Sequence, residues 1–217
     1  MVASVSTAPH VTCWLEVDVT AATAKVQQLR ANPDYAGARV TMLTLAAAGV
    51  LKAAEKFPRL NSCWVEGPDG AEIVIHGHIG IGIAVAGSKG LTVPVIQKAE
   101  TLNLVGIAQA LSGLVENARN GKTSPAEMMG GTISITNIGA LGMDGGTPIL
   151  VPGQAAILAL GRTVRKPWVV KDGDAERIEL STDSFGEVGA EASARPHRGE
   201  RRADEQFGGP GVGAVVH

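Results

Sequence analysis

Residues 130–162, GGTISITNIGALGMDGGTPILVPGQAAILALGR, carry the side chains best placed for chemistry. Their alternation and turn residues predict a hydroxyl-bearing strand that runs into a buried one. Thr136 sits on the first of these strands. A hydroxyl fixed on a rigid strand can donate a hydrogen bond to the oxyanion of an acyl-transfer intermediate. From position alone, a threonine there satisfies its β-preference and needs no further role. Asn137 follows on the opposite face, at the entry to a turn, and reads as structural.

The remaining reactive side chains are scattered. His76 and His78 share a face of one expected strand, the spacing of some metal pairs, but no third ligand is in view, so no metal site is expected. Cys13 and Cys63 lie far apart in apolar, strand-like contexts, which predicts reduced, buried thiols rather than a disulfide framework. The glycines Gly77, Gly80 and Gly82 fall inside a strand run and not in the strand-to-helix turn of a dinucleotide loop. Gly87-Ser88-Lys89-Gly90 lacks phosphate-loop spacing, so both glycine groups read as packing and turn chemistry.

The elements that must position these groups interleave. TCWLEVDVT alternates like a half-buried strand, and Thr20 can cap a helix running to about residue 30. An Ala-rich segment over 40–57 suits a helix packed between a sheet and a neighbour, ended by Pro58. LNSCWVEG and AEIVIHG flank the turn signal Gly67-Pro68-Asp69-Gly70 and predict a hairpin. HIGIGIAVAGSKGLTVPVI reads as two central strands and a turn. Leu104 to Arg119 has the apolar spacing of an amphipathic helix, and Ser124-Pro125 starts a short one. The class is α/β or α+β.

With 217 residues, 45% hydrophobic and 18% charged, the chain can bury the core of one domain. A net charge of −2 gives no electrostatic reason to expect nucleic acid or an anionic membrane as partner, which leaves small molecules and proteins. The start, MVASVSTAPH, lacks the basic and apolar regions of a signal peptide, and no run approaches the ~18 apolar residues of a membrane span. A cytoplasmic protein is the expectation.

The segment 130–162 resembles the dihydrolipoamide acyltransferase catalytic core of the 2-oxo acid dehydrogenase complexes, whose matching stretch reads GGTFTISNIGxxGxxxxTPIxNxPQxAILxVG. The likeness runs back through GKTSPAEMMGGTISITN and IGIGIAVAGSKGLTVPVI to TAPHVT at residues 7–12, so it covers about residues 3–180. It implies a chloramphenicol acetyltransferase-like fold, a two-layer mixed β-sheet with flanking helices. It also implies a homotrimer or larger cage with active sites between subunits. Coenzyme A and lipoamide are the implied substrates, the latter brought by the lipoyl domain of another chain among the dehydrogenase complex components. Thr136 falls on the family's catalytic hydroxyl, where serine is the common residue. His10 falls in its PHxT entry to the first strand, which implies a structural role.

The family's second signature, SFDHRxxDG followed by an apolar helix, is not written in this chain. In the family that histidine takes the proton of coenzyme A, and a positioned base is worth about 10²–10⁴-fold for a thiol mostly protonated at neutral pH. His197, in RPHRGERRAD, is followed by arginine as in the motif, but Asp204 comes seven residues later with no glycine or apolar helix behind it. It reads as a decoy, and His217 ends the chain. The expected domains are therefore an acyltransferase core over 1–182, without a lipoyl domain, and an aberrant disordered tail over 183–217. A reading-frame slip in the coding sequence between about Arg177 and Ala190 would account for the break. The expected function is an acyltransferase core impaired by loss of its base. The alternatives are a non-catalytic structural core subunit and another coenzyme A-dependent acyltransferase acting on a small alcohol or amine.

Overall fold

The structure, a computed structural model, describes residues 2–68, 70–87, 90–172 and 175–191; for 172, 175 and 183–191 it describes the backbone alone. A short helix α1 (Val2–Thr7) leads into strand β1 (His10–Asp18). Helix α2 (Thr20–Ala31) follows at once. Thr20 is its first residue rather than its cap, because the Asp18 carboxylate accepts the Thr20 N–H at 2.8 Å. The Thr20 side-chain hydrogen bond first, and this backbone bond second, hold the exposed Asp18 carboxyl below the usual carboxylate range.

Helix α3 (Met42–Lys56) is the Ala-rich segment, opened by a bond from the Thr41 N–H to Thr44 Oγ1 and closed before Pro58, which starts a 3₁₀ turn. The expected hairpin is β2 (Ser62–Gly67) against β3 (Gly70–Ile75), a two-stranded sheet of its own. Next come β4 (Ile81–Gly87), β5 (Gly90–Thr92) and β6 (Val95–Ile96). Only β4 is central. The second run is broken because Pro94 has no N–H for a ladder, and its pieces pair with β4 at the sheet's edge. Helix α4 (Leu104–Arg119) has the expected bounds, with Asn103 Oδ1 accepting the Gly106 N–H at 2.9 Å.

Strand β7 (Ile133–Asn137) is followed by β8 (Ala156–Asp172) and β9 (Ala175–Glu191). The main sheet runs β1-β9-β8-β7-β4-β5, with β6 also on β4. Strands β4, β7 and β8 are parallel, while β9 is antiparallel to both β8 and β1. The boundary expected at residue 182 falls inside β9, which pairs as far as Glu191. Beyond residue 182 its sequence, DSFGEVGAE, carries no sustained strand period of its own; the ladders of β1 and β8 on either side supply the hydrogen-bond partners that make it a strand. Residues 192–217, with His197, Asp204 and His217, lie outside the described residues.

Helices α3 and α4 pack on one face of this sheet, giving the expected two layers. The core there holds Ala47, Val50 and Ala54 of α3, Ile107 and Leu111 of α4, and the isoleucines of β4 and β7. Helix α2 sits farther out, where Val26 and Leu29 meet Tyr35, Val40 and Ala108. The cysteines depart from expectation: Cys13 is exposed and Cys63 half-buried, since both β1 and the β2–β3 hairpin leave a face open to solvent.

Candidate functional site

Strand register places the residues of β4, β7 and β8 in rows. Ile83, Ile135 and Leu158 form one row, turned to the helices. One residue on, Ala84, Thr136 and Ala159 form the next row, turned the other way because side chains alternate along a strand. Gly82, Ser134 and Ile157 line up behind them on the same face. Small residues therefore flank the Thr136 hydroxyl on both sides. Gly82 has no room for a methyl group, whose carbon would stand 2.7 Å from Ser134 Oγ and 3.0 Å from Val93. Gly80, just before β4, approaches still closer: a Cβ there would lie 2.0 Å from the Gly130 carbonyl oxygen. These contacts bear out the reading of Gly80 and Gly82 as packing positions.

Over this face lies a cavity of about 480 Å³, lined by Ala84, Leu91, Thr136, Pro148, Leu150 and Ala159 among others. Its described lining is apolar or hydroxyl-bearing and contains no ionisable side chain. Thr136 is half-buried, and among the described residues its hydroxyl has no hydrogen-bond partner. It can donate to a bound group.

The outer wall of the cavity is the connection between β7 and β8, which has no regular structure over residues 144–154. Side chains hold it instead. At its start, Arg162 of β8 pairs with Asp144 through Nε and donates from Nη2 to Oδ2 at 3.2 Å. The Asp144 hydrogen bonds, then its charge, raise the Arg162 pKa above the ordinary guanidinium value. At its end, the buried Ser134 hydroxyl donates to Gln154 Oε1 at 2.6 Å. In the middle, the Leu150 N–H donates to Nε2 of His10 at 3.0 Å. Asn137 stabilises the turn that leaves β7, its Oδ1 accepting the Ala140 N–H at 3.2 Å. The sequence brought Thr136 and Asn137 into view. It gave no sign of Ser134, Gln154, Asp144 or Arg162; the one available signal was a polar Gln154 set among apolar residues in VPGQAA.

The other described histidines lie away from this cavity. His76 and His78 follow the end of β3, in the connection to β4, and not on one strand face. His78 Nδ1 lies 2.7 Å from Glu100, whose second oxygen accepts the Ile79 N–H at 2.9 Å. Burial works against ionising Glu100 and is the largest single influence, but these bonds together hold its carboxyl below the usual glutamate value. A second cavity of about 600 Å³ opens there between α3 and α4. A third, of about 530 Å³, lies on the helix side of the sheet beside Asn137 and Arg162. No described helix is long and apolar enough to cross a membrane.

Comparison with known proteins now adds a family. The model of the 2-oxoacid dehydrogenases acyltransferase (catalytic domain) family matches residues 1–183. The chain is 38% identical over 174 residues to the dihydrolipoyllysine-residue acetyltransferase component of the pyruvate dehydrogenase complex of Bacillus subtilis, covering 80% of this chain and 39% of that protein. The Staphylococcus aureus counterpart is 36% identical over the same length, so the chain spans about two fifths of the curated relatives it matches. Among solved structures, a probable dihydrolipoamide acetyltransferase from Listeria monocytogenes superposes with a TM-score of 0.78 at 30% identity, covering 88% of this chain and 78% of that one. The dihydrolipoamide acetyltransferase of Azotobacter vinelandii, studied for the catalytic roles of a serine, a histidine and an asparagine, gives 0.79 at 28% identity, covering 87% and 75%.

Proposed function

The chain belongs to the 2-oxoacid dehydrogenases acyltransferase (catalytic domain) family, and on that premise we propose that it transfers an acyl group between coenzyme A and the lipoamide of a 2-oxo acid dehydrogenase complex. One observation carries the reading: an unpartnered hydroxyl, Thr136, between two alanines at an apolar cavity. In the direction of acyl-coenzyme A formation, the thiolate of coenzyme A attacks the carbonyl carbon of the acyl-lipoamide thioester. A carbon–sulfur bond forms and the carbonyl electron pair moves onto oxygen. Thr136 Oγ1–H donates to that oxyanion, which stabilises charge present only in the transition state and the intermediate. Collapse re-forms the carbonyl and expels the dihydrolipoamide thiolate, which takes up a proton. The low polarity of the lining strengthens the hydrogen bond to the oxyanion.

The base that takes the coenzyme A proton has to come from outside the described lining, since that lining holds no ionisable group. Family members draw it from the HRxxDG histidine, and this sequence has no such motif. The chain alone is therefore an impaired acyltransferase, keeping the oxyanion contribution and lacking the base. A homotrimer or larger cage in the cytoplasm, served by the lipoyl domain of another chain, is the assembly we propose; a subunit with an intact base could complete the site beside Thr136. The absent motif equally suits a structural core subunit, and the two readings part on turnover.

The test is acyl transfer from acetyl- and isobutyryl-coenzyme A to dihydrolipoamide by the purified chain, with Thr136→Ala as control. Slow turnover abolished by the substitution supports the impaired enzyme. A folded chain that assembles without turnover supports the structural subunit, and acetylation of a small alcohol or amine without dihydrolipoamide points to a different acyltransferase.

A further inference from the structure

We infer that His10 is a positioning residue that holds the outer wall of the Thr136 cavity in place, an inference that rests on the acyl-transfer reading for its consequence in turnover. The imidazole joins two stretches of backbone: Nδ1 lies 2.8 Å from the Ala8 carbonyl oxygen, and Nε2 lies 3.0 Å from the Leu150 nitrogen. A backbone N–H can only donate, so Nε2 is the acceptor and the ring proton sits on Nδ1, where it is donated to Ala8. Both ring nitrogens are used.

The wall needs such a clamp. Residues 146–152 have no strand or helix ladder, and Pro148 and Pro152 bring no N–H of their own. Leu150 is 2% exposed, so its N–H has no access to water and would be left unsatisfied without the ring. The Arg162–Asp144 pair and the Ser134–Gln154 bond hold the two ends of the connection, at residues 144 and 154. His10 secures that middle from 140 residues away, at the first position of β1. Thr136, by contrast, is held by the β4 and β8 ladders on either side. Loss of the clamp therefore moves the wall and leaves the hydroxyl where it is. Binding of the acyl substrate should suffer while the chemical step does not.

The experiment is amide hydrogen exchange by mass spectrometry on the full chain, in the wild type, His10→Ala and His10→Gln. Glutamine keeps an acceptor near the place of Nε2. In His10→Ala, exchange across 146–152 should rise about tenfold, the worth of one buried backbone hydrogen bond. Peptides across 81–87 and 133–137 should be unchanged, and His10→Gln should return to within about threefold of wild type. Unchanged exchange at 146–152 in His10→Ala, an equal rise in every peptide, or a glutamine variant no better than alanine overturns the inference. In acyl transfer, KM for acetyl-coenzyme A should rise about tenfold in His10→Ala with kcat within about twofold; a fall in kcat at constant KM also overturns it. A wild-type chain with no transfer at all counts against the proposed function, and the exchange data then decide the clamp by themselves.

Discussion

The two faces of β4, β7 and β8 come from alternate residues of the same three strands and do opposite work. Toward the helices stand Ile81, Ile83, Ile133 and Ile135, all between 0% and 4% exposed. Toward the cavity stand Gly82, Ala84, Ser134, Thr136 and Ala159, too small to fill the space above them. One face buries large apolar area and contributes stability; the other leaves room and keeps a hydroxyl available. A strand can serve both ends because its side chains alternate, so a substitution one residue along changes which property is lost.

Ile135→Ala breaks the stabilising face hardest. Removing a fully buried isoleucine should cost about 2–5 kcal/mol in chemical denaturation, whereas transfer per folded molecule should hold. Thr136→Ala, its neighbour, should reverse the pattern. Transfer should drop about 10²–10³-fold with stability within about 1 kcal/mol, and Thr136→Ser should recover most of the rate. A Thr136→Ala chain that loses as much stability as Ile135→Ala would erase the distinction between the faces. Ser134→Ala leaves Gln154 without its buried donor and should cost about 1–3 kcal/mol, read as a lower denaturation midpoint and a higher KM from a loosened wall.

The smallest effect lies where the helix face ends, at Glu100. Its carboxyl titrates lower folded than unfolded, so the stabilisation is present above the unfolded glutamate value of about 4.3 and is lost as pH falls through the depressed folded value. Unfolding midpoints followed from pH 6 down toward pH 3 should show an acid limb shallower in Glu100→Gln, and an unchanged limb would assign the loss to other carboxylates.

What could be read in advance was local. The alternation of TISITN placed Thr136 and Asn137 on opposite faces of a strand, and the spacing of apolar residues set α4 at its observed bounds. Long-range partners left no such trace. Ser134 meets Gln154 across 20 residues and His10 meets Leu150 across 140, and a hydrogen bond closed by folding imposes no period on either sequence. The same gap hid β9 beyond residue 182, which is a strand through its neighbours, and the exposure of Cys13, which depends on β1 lying at the end of the sheet.

The order β1-β9-β8 has a consequence for synthesis. Among the described residues, His10–Asp18 has one ladder partner, residues 183–191, which it can find after nearly the whole sheet has left the ribosome. At about 5–20 residues per second the first strand waits roughly 10–30 s, with its backbone N–H and C=O groups lacking that ladder. Those seconds are when a chaperone would find this nascent chain most easily, and when a second nascent copy could pair with it in error.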